Sequence, residues 1–133
     1  MSVTSASEHP GDLLVLSNGW VMLCYGRRHG LPGQHDGAQK CGVEGLLSFD
    51  SGHTWDGRVT LVFAEDLPVV DMGYPSSARL GEGWIVTCYY ANLWPMDEKP
   101  VNDSYDGSHA RCFALVYPEA DLVNAVEKAL GRR

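Results

Sequence analysis

The chain has 133 residues, of which 44% are hydrophobic and 20% charged, so it can fold as one domain with a buried core and is not disordered. Its formal net charge of −7, with no run of more than two basic residues, argues against a nucleic-acid partner. No apolar run is long enough to cross a membrane, so no membrane partner is expected. The first twelve residues lack the apolar core of a secretory signal, so a cytoplasmic location is the default expectation.

The first predicted element is a β-hairpin, and a similar hairpin follows later in the chain. Residues 18–26 read NGWVMLCYG and residues 82–90 read EGWIVTCYY, with Trp20 and Trp84 separated by 64 positions. A short apolar run and a Gly-containing turn precede each copy. This pattern predicts two antiparallel hairpins, with turns at 17–19 and 81–83.

Further strands follow each hairpin. Strands are predicted at 42–49 and 58–64 in the first unit, and at 110–117 in the second, which has no fourth strand. Polar loops (27–41 and 91–109) separate the second and third strands of each unit. Antiparallel four-stranded meanders repeated at this spacing are typical of propeller blades. The predicted single domain, 1–133, thus holds a first blade at 8–66 and an incomplete second blade at 67–117.

The C-terminal segment 118–131 has a helical pattern instead. Pro118 suits the first helical position, and Leu122, Val126 and Leu130 lie at helical spacing before the stop signal Gly131. The sequence predicts a helix over 119–130. The expected fold class is therefore mainly β, with one C-terminal α-helix.

The four cysteines show no CxxC spacing, which favours free thiols over a disulfide framework or a zinc site. Cys24 and Cys88 lie inside apolar runs and are expected to pack as small hydrophobic side chains. Neither a cofactor nor a metal is predicted. An irregularly spaced metal site is the alternative, with these ligands: His29, His35, Asp36 and Cys41.

The stretch SFDSGHTWDG, residues 48–57, is the most distinctive in the chain. Asp50 can accept hydrogen bonds from amides just ahead of it, and Gly52 can adopt a positive φ. Thr54 favours a return to strand, and Trp55 can fold back over the end of the sheet. A calcium loop would need more carboxylates at alternating positions. The residues therefore predict a structural turn.

The same stretch fits the Asp-box, or BNR repeat, pattern Ser-x-Asp-x-Gly-x-Thr-Trp. The matching residues, within 48–55, are Ser48, Asp50, Gly52, Thr54 and Trp55. Together with the segment DMGYPSS at 71–77 and the two hairpins, it makes residues 8–117 resemble about two blades of the sialidase-like β-propeller family. The resemblance implies that the box lies at a blade edge away from the active site. It also implies a carbohydrate or another small acidic ligand.

In that family an arginine cluster holds the sugar carboxylate, an aspartate is the acid/base, and a tyrosine paired with a glutamate is the nucleophile. By resemblance, Arg27 and Arg28 are substrate-binding and Asp36 is catalytic. From the residues alone, Arg27 and Arg28 could equally be a solvated strand end, and Asp36 part of a polar turn. The nucleophile pair cannot be located in the sequence.

Three further positions are candidates for substrate binding. His9 and Tyr74 stand where the family has a first-strand arginine, which is a departure from its pattern. Tyr74 could line a pocket floor or begin a buried strand. Trp94 lies in an acidic, aromatic loop whose composition suits sugar binding and also suits a solvated loop.

The sequence leaves two functions open. One is a sialidase-like module that binds a glycan or an acidic sugar, with hydrolysis by a degenerate glycoside hydrolase site undecided. The other is a non-catalytic structural or assembly module, or a fragment of a larger propeller protein. Two blades would leave two open flanks, which predicts a homo-oligomer, and three copies would complete six blades.

Overall fold

A computed structural model describes residues 11–27, 41–67, 71–93 and 109–132. These residues form two antiparallel sheets and one helix, which confirms the mainly β class with a C-terminal helix. The first sheet has the order β1-β2-β3-β4 and the second β5-β6-β7. The elements are β1 Asp12–Val15, β2 Val21–Arg27, β3 Cys41–Ser48, β4 Asp56–Leu67, β5 Met72–Arg79, β6 Trp84–Asn92, β7 Ala110–Pro118 and α1 Glu119–Ala129.

The repeated hairpins form as predicted, because each has a turn that its own residues can close. In the first, the Leu16 amide donates to the Trp20 carbonyl at 2.8 Å, and Gly19 takes a φ of 85°. In the second, the Leu80 amide donates to the Trp84 carbonyl at 2.9 Å. The two hairpins are therefore equivalent in structure as well as in sequence.

Several elements differ in detail from the sequence expectation. β4 extends beyond 58–64 at both ends, because it follows β3 through several register shifts. β5 begins at Met72 and takes in Tyr74 through a bulge between Gly73 and Ser76. Pro118 is the helix N-cap, with ψ of 134°, because it still pairs with Trp84 at the end of β7.

Each sheet has two faces, which we name by the repeated residues they carry. The cysteine face carries Cys24 in the first sheet and Cys88 in the second, and the tyrosine face carries Tyr25 and Tyr89 respectively. The cysteine face of the first sheet packs against the tyrosine face of the second. The main core cluster between them comprises Leu16, Met22, Cys24, Leu47, Ile85 and Val126.

Helix α1 extends this core. Val126 is buried in it, and Leu122, Val123 and Leu130 pack around it. The opposite side of the helix is polar and exposed, as its amphipathic pattern predicts. No helix among the described residues is long and apolar enough to span a membrane.

The prediction for Cys88 was wrong. Cys24 is buried, whereas Cys88 is exposed, although the two occupy the same position of the repeat. The reason is tertiary: the second sheet covers the cysteine face of the first, and no described element covers the cysteine face of the second. All four cysteines are free thiols, and Cys112 is also exposed.

Candidate functional site

The strands of both sheets run between two ends of the molecule. We call one the loop end and the other the turn end. At the loop end, Arg27 pairs with Gly42, and Met72 packs with Cys41 and Val43. The strand residues that flank 28–40, 68–70 and 94–108 all lie there. The turn end carries the two hairpin turns and residues 49–55, so the Asp-box lies at the opposite end from Arg27 and Tyr74.

At the turn end, Asp50 organises the box through hydrogen bonds. Its Oδ1 accepts from the Thr54 amide and from the Ser48 hydroxyl, both at 2.8 Å, and its Oδ2 accepts from the Thr54 hydroxyl at 2.7 Å. The Gly52 amide donates to Ser48 Oγ at 2.8 Å, with Gly52 at a φ of 92°. Trp55 is half-buried.

These hydrogen bonds explain why the pKa of Asp50 is low. The side-chain bond from Thr54, then the Thr54 amide and Ser48, lower the pKa of Asp50 from 3.8 to about 2. Both carboxylate oxygens are engaged within the turn, so the geometry is that of a turn closed by its own side chains.

At the loop end, Arg27 belongs to a cluster on the tyrosine face of the first sheet. Its Nε lies 2.7 Å from Glu44 Oε1, and the Tyr25 hydroxyl donates to Glu44 Oε2 at 3.2 Å. Tyr25 and Glu44 are cross-strand partners on β2 and β3. Sequence reasoning missed both residues, because only the register of the sheet brings them together.

Tyr25 and Glu44 form a tyrosine–glutamate pair, the type of pair that could not be located in the sequence. Tyr25 is only 6% exposed, and its ring is part of the sheet packing. Glu44 is shared between this hydroxyl and the Arg27 guanidinium. The cluster as it stands is a partly buried ion pair with one additional donor.

Tyr74 forms a second cluster, on the second sheet. It is 55% exposed, lies at the β5 bulge, and has a φ of 46°, a left-handed conformation that non-glycine residues rarely adopt. Its ring centroid lies 5.8 Å from that of Tyr90. The Tyr90 hydroxyl donates to Asp71, which also accepts from Asn92 Nδ2 at 3.2 Å.

Asn92 is buried, and its Oδ1 has no hydrogen-bond partner among the described residues. Its amide donates to the Asp71 carbonyl at 3.0 Å. Asp71 therefore fixes both Tyr90 and Asn92, and Tyr74 lies on a support whose polar groups are held in place. Neither Asp71 nor Asn92 was a sequence candidate, since each becomes notable only through this packing.

No family model, curated protein or solved structure matches this chain.

Arg27 and Tyr74 lie at the same end of the molecule but on opposite outer faces. Arg27 shares the tyrosine face of the first sheet with Tyr25, and the Tyr74 ring contacts Tyr90 on the cysteine face of the second sheet. The structure does not bring them into one pocket. The other predicted site positions fall outside the described residues: His9, Arg28, Asp36 and Trp94.

Between the sheets runs a chain of buried and partly buried polar groups. Ser77 Oγ lies 3.5 Å from Cys24 Sγ and 2.9 Å from Thr87 Oγ1, which lies 2.8 Å from the Tyr117 hydroxyl. Burial raises the pKa of Cys24 to about 11 and that of Tyr117 to about 12. Both groups are neutral near pH 7, so the chain joins the sheets without charge.

The described residues contain no group of three His, Cys, Asp or Glu side chains placed to hold a metal ion. Of the four residues considered for an irregular metal site, only Cys41 is described, and it is buried in the smaller core cluster. His29, His35 and Asp36 lie outside the described residues.

Proposed function

We propose that this chain is a sialidase-like propeller module that binds a glycan or an acidic sugar at the loop end, with Tyr74 as the platform for a sugar ring. The observation that carries the proposal is the conformation of Tyr74. It combines high exposure, a left-handed backbone and a tyrosine-backed ring.

A left-handed non-glycine residue costs about 1–3 kcal/mol and persists where the surroundings over-determine it, as they often do at binding sites. The bulge at 73–76 is the device that turns the Tyr74 side chain outward. An aromatic ring with a polar edge, beside fixed polar groups, suits a ligand that has both an apolar face and hydroxyls.

Recognition of an acidic sugar would depend on arginine side chains. Arg27 forms an ion pair with Glu44, so a ligand carboxylate would share the guanidinium with that residue. Arginine has five N–H donors, which allows such sharing. Arg28 is the second cation proposed for this role, by resemblance to the family.

Substitutions at Tyr74 test the proposal by NMR titration of the labelled chain with N-acetylneuraminic acid and with a neutral N-acetylhexosamine. Tyr74→Gly removes the ring and also relieves the backbone strain, so it should fold at least as stably as the wild type. We expect it to weaken sugar binding about tenfold, as loss of an aromatic contact worth about 1.4 kcal/mol would. Tyr74→Phe should retain most of the affinity.

His53→Ala is the control, because His53 is an exposed ring-bearing residue in the 49–55 turn at the turn end. It should leave sugar binding unchanged. Unchanged affinity in Tyr74→Gly, or no binding of either sugar by the wild type, would exclude this site.

Hydrolysis is a separate part of the proposal. We expect the isolated chain to show no turnover of sialosides, because the family's first-strand arginine is replaced and Tyr25 is buried against Glu44. A fluorogenic sialoside assay measures this. Turnover that is lost in Asp36→Asn would instead make Asp36 the acid/base, and its loss in Tyr25→Phe would make Tyr25 the nucleophile.

The alternative is the non-catalytic structural or assembly module. It is favoured by the two apolar sheet faces that the described elements leave uncovered, on which large hydrophobic side chains are about half exposed. The two functions are compatible, because Val15, Trp84 and Val116 lie toward the turn end of these faces, whereas Arg27 and Tyr74 lie at the loop end.

A further inference from the structure

Two outer sheet faces among the described residues carry exposed apolar side chains. On the tyrosine face of the first sheet, Leu13, Val15 and Val62 are 58%, 59% and 51% exposed. On the cysteine face of the second sheet, Trp84 and Val116 are 47% and 55% exposed. Exposed apolar surfaces of this kind mark sites of association.

The internal repeat shows what each open face fits. Met22 and Cys24, on the cysteine face of the first sheet, are fully buried, whereas Cys88 at the repeated position is exposed. Toward the turn end of the tyrosine face the order is reversed, whereas nearer the loop end Tyr25 is buried and Tyr89 only partly buried. Ile85 is fully buried in the second sheet, and its counterpart Val21 is only partly buried in the first.

Toward the turn end, burial is therefore exchanged between equivalent positions, because one sheet's cysteine face packs on the other's tyrosine face. Three contacts show this packing directly. The Ser77 amide donates to Asp12 at 2.7 Å, Cys24 Sγ lies 3.5 Å from Ser77 Oγ, and Arg79 donates to the Val15 carbonyl at 2.9 Å. The same pair of face types is left over, one at each outer side of the molecule.

We propose that copies of this chain associate head to tail, with the cysteine face of the second sheet of one copy packed on the tyrosine face of the first sheet of the next. The occupant of each open face is thus a second copy of the chain. The contact repeats the combination of faces that already joins the two sheets within one chain.

A contact between two different faces leaves one of each type free at the ends of the assembly. It therefore continues from copy to copy until rotation closes a ring. Within one chain, the loop ends of the two sheets lie on the same side. If the contact between copies repeats this arrangement, Tyr74 of one copy would lie beside Arg27 of the next. The contact between copies and the proposed sugar site would then be adjacent. The two proposals are tested by separate experiments.

Two single substitutions separate this assembly from its alternatives by light scattering at micromolar concentration. Val15→Lys charges the tyrosine face of the first sheet, and Val116→Lys charges the cysteine face of the second. Both positions are more than half exposed, so the fold should tolerate them. Ala120→Lys, on the exposed side of α1, is the matched control and should assemble like the wild type.

We expect the wild type to be larger than a monomer and each face variant alone to be monomeric. An equimolar mixture of the two variants should form dimers and nothing larger, because each partner keeps one intact face of the complementary type. A monomeric wild type would overturn the proposal. So would a variant that still dimerises alone, since that result indicates contact between like faces.

The native thiols give an independent measurement. Cys88 and Cys112 are exposed on the cysteine face of the second sheet, whereas Cys24 and Cys41 are buried. Alkylation of the two exposed thiols should slow by tenfold or more as wild-type concentration rises, and should not slow in Val15→Lys. Alkylation rates independent of concentration in the wild type would contradict head-to-tail contact.

Discussion

Asp50 and Asp56 are exposed carboxylates whose neighbours favour the ionised form. Bonds from Thr54 and Ser48 lower the pKa of Asp50 from 3.8 to about 2. Bonds from the Arg58 side chain and amide lower the pKa of Asp56 by a similar amount. Both residues lie at the turn between β3 and β4, so protonation acts on this one turn.

The first prediction concerns the stability of the fold at acidic pH. Since the folded pKa values are depressed, the unfolded chain takes up protons first as pH falls. The free energy of unfolding should therefore fall between about pH 4 and pH 2. Asp50→Asn should flatten part of this dependence in urea titrations at several pH values. If Asp50→Asn and Asp56→Asn both retained the full wild-type dependence, another group would be responsible.

The second prediction concerns alkali. Burial raises the pKa of Cys24 from 9.0 to about 11 and that of Tyr117 from 10.0 to about 12. The unfolded chain loses these protons first, so stability is unaffected below pH 9 and should fall as pH rises toward 11. Cys24→Ala should reduce that fall, and Cys88→Ala, at the exposed repeat position, should not. Equal slopes in both variants would contradict burial of Cys24.

At the scale of elements, Glu119, the first residue of α1, forms hydrogen bonds with both hairpin turns. The buried Glu119 carboxylate accepts a hydrogen bond from the Ser17 amide of the first turn. The backbone amide of Glu119 donates to the Gly83 carbonyl of the second turn at 2.7 Å. Arg79 approaches the same carboxylate at 3.4 Å. The acidic group also suits the positive end of the helix.

The third prediction follows from this junction. Glu119→Ala leaves the Ser17 amide without its acceptor and should lower the free energy of unfolding by about 1–3 kcal/mol. Glu119→Gln keeps an acceptor oxygen and should cost less. Asp121→Ala, an exposed acid in the same helical turn, is the control and should cost less than about 1 kcal/mol. Thermal and urea denaturation measure all three, and equal losses at 119 and 121 would contradict a structural role for the junction.

At the scale of the whole molecule, the two sheets and the helix share one core. Leu16 comes from the first hairpin, Ile85 from the second sheet and Val126 from α1, and all three belong to the same buried cluster. The chain of polar groups from Cys24 to Tyr117 also crosses the interface. Neither sheet can leave without exposing the core of the other.

The fourth prediction is therefore cooperative unfolding. Native-state hydrogen exchange should give similar opening free energies for core amides of β2 and β6, and both should match the global value from denaturation. Exchange of β6 amides at a distinctly lower free energy would show that the second sheet opens alone. The measurement should be made on the Val15→Lys variant, so that assembly does not contribute.

Much of the local structure could be predicted, because its causes are local. The Asp50 turn, the Gly19 turn and the amphipathic pattern of α1 all use bonds or periodicity within a few residues. Of the candidate site, the sequence suggested Arg27 and Tyr74 through the family resemblance and not through such local reasoning. The sequence did not indicate the support of Tyr74 or the partner of Arg27, since Asp71 and Glu44 reach them only across strands.

The sequence by itself determined the strands, the turns and the existence of two equivalent hairpins, since hydrogen bonds and side-chain alternation along a short segment decide these. Only the tertiary structure decided which face of each hairpin is covered. Cys24 and Cys88 have nearly the same local sequence, yet one is buried and the other exposed. The physical reason is that burial depends on what lies across a face, and the partner of a face comes from a distant part of the chain or from another copy of it.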